Sequence, residues 1–372
     1  MLRPSSSVET ATEVSMPVDA DSPRLRVETE AVVAGVAAAL VLGGIGCLFF
    51  IGRDTPLWGG VSVGLVSAGA SLVAGILAGY IGYWRSRHRA GQEWRLKIGA
   101  WKFMVDATSV ALVHAIIAAI ISIAVFVMLQ RGFEGLVVDA LTATMAVAVV
   151  SGFTGYAIYL SVSDITTRKM ASLLVFFMSA SVLTSISTAQ DPAWWEYHFS
   201  QLGTADGFSS TMFNLALIIA GFFVTTFSLY LHRDLTALAE RGVLEHAWAP
   251  RFISIAFVVM GVMLAGVGLF PLDVSVALHN GCASGMAAAF AAMVLGSPWI
   301  LRGLPKRFHV FCFGTFALLI GGFLLFEPVG YYNLTAFELV AFSIIFGWIT
   351  VFIRFVNALA TPDAVIVGRE GP

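Results

Sequence analysis

MASLLVFFMSASVLTSIST, residues 170–188, and TMFNLALIIAGFFVTTFSLYL, residues 211–231, are apolar runs with no charged residue in either. Between them lies AQDPAWWEYHFSQLGTADGFSS, residues 189–210, which holds no Lys or Arg but carries two adjacent tryptophans, three acids, a histidine and a small-residue turn. Each apolar run is about 20 residues long, the length an α-helix needs to cross a hydrocarbon core roughly 30 Å thick. Neither alternates polar and apolar positions as a barrel strand would. The pair therefore predicts two membrane-spanning helices joined by a polar connection.

The same pattern recurs in both directions. Of 372 residues, 58% are hydrophobic and 12% charged, about half the roughly 25% typical of soluble domains. Mean hydropathy is +0.86. Ten spans are predicted: Ala31–Ile51, Leu57–Trp84, Phe103–Leu129, Ala140–Val162, Met170–Thr188, Thr211–Leu231, Phe252–Phe270, Val276–Leu301, Val310–Phe326 and Leu334–Asn357. The expected class is an all-α integral membrane protein with about ten transmembrane helices. Its expected divisions are a disordered cytoplasmic tail (1–30), a four-helix transmembrane region (31–165), a six-helix core (166–358) and a cytoplasmic tail (359–372).

The basic residues orient this arrangement. With the N-terminus inside and ten spans, only Arg53 and Arg131 of the 21 Lys and Arg fall on the outer side. Positive charge collects on the cytoplasmic side of membrane proteins, and a miscounted span would scramble so clean a division. Both termini are therefore expected in the cytoplasm, with the protein in the cell membrane. The outer side is acidic, carrying Asp54, Glu134, Asp139, Asp191, Glu196, Asp206, Asp273, Glu327 and Glu338. Such an excess can attract cations or a cationic headgroup, although short solvated loops also favour acids.

Cys47, Cys282 and Cys312 make neither a disulfide framework nor a CxxC site. Gly60/Gly64, Gly75/Gly79 and Gly281/Gly285 have the GxxxG spacing that lets helices approach closely. No nucleotide loop, nucleophile elbow or dinucleotide fingerprint stands in a suitable context, and no nucleic-acid partner is expected.

The chemistry-bearing residues gather on the outer side. His198 and His279 are its only histidines, with Asp191, Glu196, Asp273 and Glu338 at a similar depth. Two histidines and a carboxylate can hold zinc with one position open. No HxxxH or HExxH spacing supports that here, and no cofactor is expected. A hydrogen-bonded polar cluster of Asp191, Glu196, His198, Ser200, Asn214, Asp273, His279, Asn280 and Glu338 is the favoured reading. Trp194 and Trp195 stand at its rim, where interfacial anchoring is the simpler role for aromatic residues. Asn214 and Glu338 fall inside spans, where polar groups turn inward and are functional candidates by default. In Phe199–Gly203, the Ser200 hydroxyl and Gln201 amide can satisfy local backbone and Gly203 permits a positive φ. His114, mid-span, reads as a histidine bonded to a neighbouring helix. The basic cluster Arg85, Arg87, Arg89, Arg95, Lys97 and Lys102 reads as the topology determinant, with headgroup recruitment as its alternative. Asn333-Leu334-Thr335 matches a glycosylation sequon but abuts a helix end.

Trp194-Trp195, His198-Phe199-Ser200-Gln201-Leu202-Gly203, Phe213-Asn214, Gly268-Leu269-Phe270-Pro271 and His279-Asn280 together resemble the bacterial membrane family called domain of unknown function 998, over roughly residues 170–357. That family is in turn similar to the DRAM/Sfk-like six-helix membrane proteins. Their serine-x-x-glycine turn and outer histidine correspond here to Ser200–Gly203 and His279. The resemblance implies a six-helix core with lipid-linked regulatory roles and no known reaction, and the first four spans lie outside it.

Three functions from different classes follow as expectations. The leading one is a non-enzymatic protein that binds or organises lipid, or a membrane partner, through the outer polar cluster. The second is a metal-dependent lipid or amide hydrolase with His198 and His279 as zinc ligands. The third is a small-solute transporter with Asn214, Glu338 and His114 along its path.

Overall fold

The computed structural model describes residues 22–204 and 206–360. Ten long helices occupy them: α1 Pro23–Phe50, α2 Val63–Ser86, α3 Ala100–Gly132, α4 Ala140–Ser163, α5 Thr167–Ser187, α6 Phe208–Glu240, α7 Ala249–Leu269, α8 Leu272–Ile300, α9 Lys306–Phe326 and α10 Leu334–Ala360. All ten are long and apolar enough to cross a membrane, and each overlaps one predicted span. Two short strands, β1 (Thr55–Pro56) and β2 (Val137–Val138), pair antiparallel and tie the α1–α2 loop to the α3–α4 loop.

Several boundaries differ from the sequence expectation: α2 starts at Val63 rather than Leu57, α6 runs on to Glu240 rather than Leu231, and the first helix starts earlier than expected. α1 begins at Pro23, within the segment read as a disordered tail; residues 1–21 and 361–372 lie outside the described residues. The reason is local and tertiary together. The Ser22 side chain accepts from Leu25 N, and Pro23 supplies a helical φ at the first position. Further along, Glu30 pairs with Arg85 at 2.7 Å and Arg89 at 3.1 Å and accepts from the Tyr159 hydroxyl at 2.6 Å. Much of the basic cluster is engaged within the chain in this way. Arg87 lies over the Trp84 and Phe103 rings, and Arg95 is buried against Tyr83 with its guanidinium bonded to Tyr83 O and Ser86 Oγ.

Helices approach closely where glycine removes the side chain. A Cβ on Gly75 would lie 2.8 Å from Ala115 Cα, and one on Gly79 would lie 3.0 Å from Ala111 Cα, so this pair seats α2 on α3. The other two GxxxG expectations are corrected. Gly60 sits in the loop before α2 with φ +58°, and a Cβ on Gly281 would meet nothing within 4 Å. The tightest helix crossing carries no GxxxG spacing: a Cβ on Gly221 of α6 would lie 2.4 Å from Gly261 O of α7.

α3 links the first helices to the later ones. Buried Asp106 accepts from Thr226 Oγ1 of α6 at 2.8 Å and pairs with Lys102. Ser109 also meets Thr226, and the Tyr230 hydroxyl donates to that of Tyr83 at 3.2 Å. One hydrophobic core accordingly runs from Tyr83 and Phe103 through α5, α6 and α7 to Trp348 and Phe352 of α10.

Candidate functional site

The α5–α6 connection holds two short 3-10 helices, Trp194–Glu196 and Phe199–Gly203. Short helices leave most of their backbone donors and acceptors unpaired. At the depth of a membrane interface these groups need partners, and neighbouring helices supply them. Glu338 of α10 accepts from Phe199 N at 2.6 Å. Asn214 of α6 donates from Nδ2 to Gly203 O at 2.8 Å. Asn333, just ahead of α10, donates to Trp195 O at 2.6 Å while its Oδ1 caps Ala336 N. The sequon asparagine is thus a helix cap joined to the connection. Gly203 is corrected from a positive-φ residue to a close-approach residue, because a Cβ there would lie 2.5 Å from Asn214 Oδ1. The left-handed backbone belongs to Gly207, at φ +138°.

α7 ends at Leu269 and Pro271 opens α8. α8 is broken near its start, where Ser275 adopts φ −163°, ψ 102° and its hydroxyl caps Leu278 N. His279 therefore stands in the first turn of the continuous helix. Its Nδ1 lies 3.0 Å from Phe270 O and its Nε2 3.0 Å from Ser200 Oγ. A backbone carbonyl only accepts, so Nδ1 donates to Phe270 O, and Nε2 and the Ser200 hydroxyl share the second hydrogen bond. One ring thereby joins the end of α7, the start of α8 and the 3-10 helix.

Behind this polar cap lies a cavity of about 890 Å³, bounded by α5 to α10 and the α5–α6 connection. His198, Ser200, His279, Asn280 and Glu338 line one end. The remainder is apolar, with Phe213, Leu217, Met260, Met286, Phe290 and Phe316 among its walls. Volume and lining match those of small-molecule sites, which are mostly apolar with a few placed polar groups and occupy about 300–1,000 Å³. His198 lies outside the helices, half-buried. Burial and then the neighbouring His279 push its imidazole below the usual value, favouring the neutral ring.

Of the residues expected to cluster, His198, Ser200, His279, Asn280 and Glu338 come together on this lining. Asn214 supports the turn from behind. Asp191, Glu196 and Asp273 do not join them. Asp191 caps Ala193 N and lines a separate small cleft with Trp194 and Gly207. Glu196 and Asp273 are exposed. Trp194 is buried in the core, not at a rim, and Trp195 is exposed. His114 bonds Val110 O and Ser161 Oγ of α4 and does not line the cavity. Among the described residues, no group of three or more His, Cys, Asp or Glu side chains has metal-holding geometry.

Sequence reasoning missed the apolar walls and the Phe270 carbonyl. Wall residues look like any span-filling Phe, Leu or Met. The carbonyl had one signal, its position before Pro271 at the end of a span.

The fold and site define an all-α multi-pass membrane protein in which a polar cap closes one end of an apolar cavity. Residues 170–354, which contain α6 to α9 and most of α5 and α10, match the family described as Protein of unknown function (DUF998). The whole cavity lining lies inside that match. No curated protein and no solved structure matched the chain.

Proposed function

We propose that this protein binds an amphiphilic lipid in the cavity, with the polar head among His198, Ser200, His279, Asn280 and Glu338 and the chain along the apolar walls. The observation that carries this reading is the division of a single cavity into a small polar end and a long apolar body. The lipid is held or organised without being transformed, and both termini lie in the cytoplasm of a cell-membrane protein. The division of basic residues supports that orientation, and it sets the polar end of the cavity at the outer leaflet. A lipid-linked regulatory role, by distant likeness to DRAM/Sfk-like proteins, belongs to the same proposal. The zinc-hydrolase alternative finds no third ligand beside His198 and His279 among the described residues.

The test is lipid retention by the purified full chain. Ala283 lines the cavity, and Ala283→Phe should fill part of it. Wild type is expected to co-purify with an amphiphile near one per chain, measured by mass spectrometry, and the variant to lose most of it. Equal lipid content in two well-folded proteins would reject the reading.

A further inference from the structure

The head-binding end of the cavity presents acceptors on Ser200 and Glu338 beside the N–H groups of His198 and Asn280. Phe270 O takes the Nδ1 proton of His279, and Nε2 and the Ser200 hydroxyl satisfy each other. Whichever of the two donates, Ser200 Oγ keeps a lone pair for a ligand's donor. Glu338 uses Oε2 for Phe199 N, and its other oxygen has no protein partner among the described residues. Asn280 is the one lining amide at this end.

Formal charge on the lining is equally one-sided. Glu338 is the only acid there, and no Lys or Arg lines the cavity. His198 is held toward its neutral form by burial and by His279. The exposed acids Glu196 and Asp273 lie on the same elements outside the cavity.

Discrimination must come from this end. A lipid chain leaving the bilayer for the cavity exchanges one apolar environment for another, so its burial distinguishes little. The head exchanges water and other headgroups for fixed protein groups. An anionic head would be set beside a carboxylate with no Lys or Arg on the lining to balance it, an unfavourable arrangement.

Resting on the amphiphile reading above, we propose that the cavity selects a long-chain amine, whose protonated head donates to Ser200 Oγ and Glu338, over anionic lipid. No bond is made or broken, and the site reads head charge.

The experiment uses the full chain in a maltoside detergent, with dodecylamine, dodecanol and dodecyl phosphate as probes and native mass spectrometry as the readout. Dodecylamine should bind at least about tenfold tighter than dodecyl phosphate, the scale of one exposed-to-buried charge contact. Glu338→Gln keeps an acceptor for Phe199 N and should bring the two within about threefold. Glu196→Gln removes an exposed acid at the same end and should leave the wild-type ratio in place. Equal binding of all three probes by wild type, or a preference for dodecyl phosphate, overturns the amine assignment while leaving the cavity an amphiphile site. A wild-type ratio that survives Glu338→Gln also overturns it. Failure of all three to bind overturns both this inference and the reading beneath it.

Discussion

His279 Nε2 lies 3.0 Å from Ser200 Oγ, while Nδ1 of the same ring lies 3.0 Å from Phe270 O. His114 makes a parallel pair of bonds, to Val110 O at 2.8 Å and Ser161 Oγ at 2.9 Å. The difference lies in the carbonyl. Val110 is one turn earlier on the helix that carries His114, so that ring joins two helices. Phe270 closes α7, so the His279 ring joins α7, α8 and the α5–α6 connection at the rim of the cavity.

Removing this ring leaves a helix-terminal carbonyl without a partner. His279→Ala should destabilise the protein by about 1–3 kcal/mol, the cost of an orphaned buried polar group plus the lost bond. Ser200→Ala deletes only one bond and should cost about 1 kcal/mol. Denaturation in detergent, compared between the two variants, checks the order; equal losses would contradict the bridging role.

Glu338 should separate by chemistry. Glu338→Gln keeps an oxygen for Phe199 N and should change stability by less than about 1 kcal/mol, whereas Glu338→Ala orphans that donor and should cost about 1–3 kcal/mol. The measurement is the unfolding midpoint of each variant beside wild type.

Gly203 and Asn214 should be coupled. Gly203→Ala places a methyl 2.5 Å from Asn214 Oδ1, so the single variant should lose about 1–3 kcal/mol. Adding Asn214→Ala removes the clash and the bond together, and the double variant should be less destabilised than the sum of the singles. A double-mutant cycle measures the coupling, and strict additivity would count against the contact.

His198 sets a pH dependence. Burial first, and then His279, lower its pKa in the fold from the usual 6.5. Below about pH 6.5 the unfolded chain binds this proton more readily than the folded one, so the group's contribution to stability is intact above that value and is lost as pH falls. The fall in melting temperature between about pH 8 and about pH 5 should therefore be smaller in His198→Gln than in wild type. An identical or larger fall in the variant would rule out this sign.

The Gly221–Gly261 crossing should tolerate no side chain. Gly221→Val sets Cβ 2.4 Å from Gly261 O, backbone against backbone, and should lower stability by about 3 kcal/mol or more. Ala at Gly281, where a Cβ meets nothing within 4 Å, is the matched control, expected to change stability by less than about 0.5 kcal/mol. Thermal unfolding of both variants decides it.

The sequence by itself determined the helices. A lipid interior leaves a backbone no partner but itself, so every long apolar run must close its own hydrogen bonds. Ten runs became ten helices for that reason, with Pro23 and Ser22 extending the first beyond its apolar part. The residue types of the polar cap were legible too, because a His, Asn or Glu at a span end stands out against apolar neighbours. Only the tertiary structure decided which of them meet. His279 and Ser200 are joined through a carbonyl that has no side-chain signature, and Glu338 through a backbone N–H. Asp191, Glu196 and Asp273 share that sequence depth, yet local caps and solvent hold them away from the cavity. The cavity itself is invisible in the sequence, since apolar side chains facing an empty volume, a neighbouring helix or a lipid chain satisfy the same hydrophobic requirement.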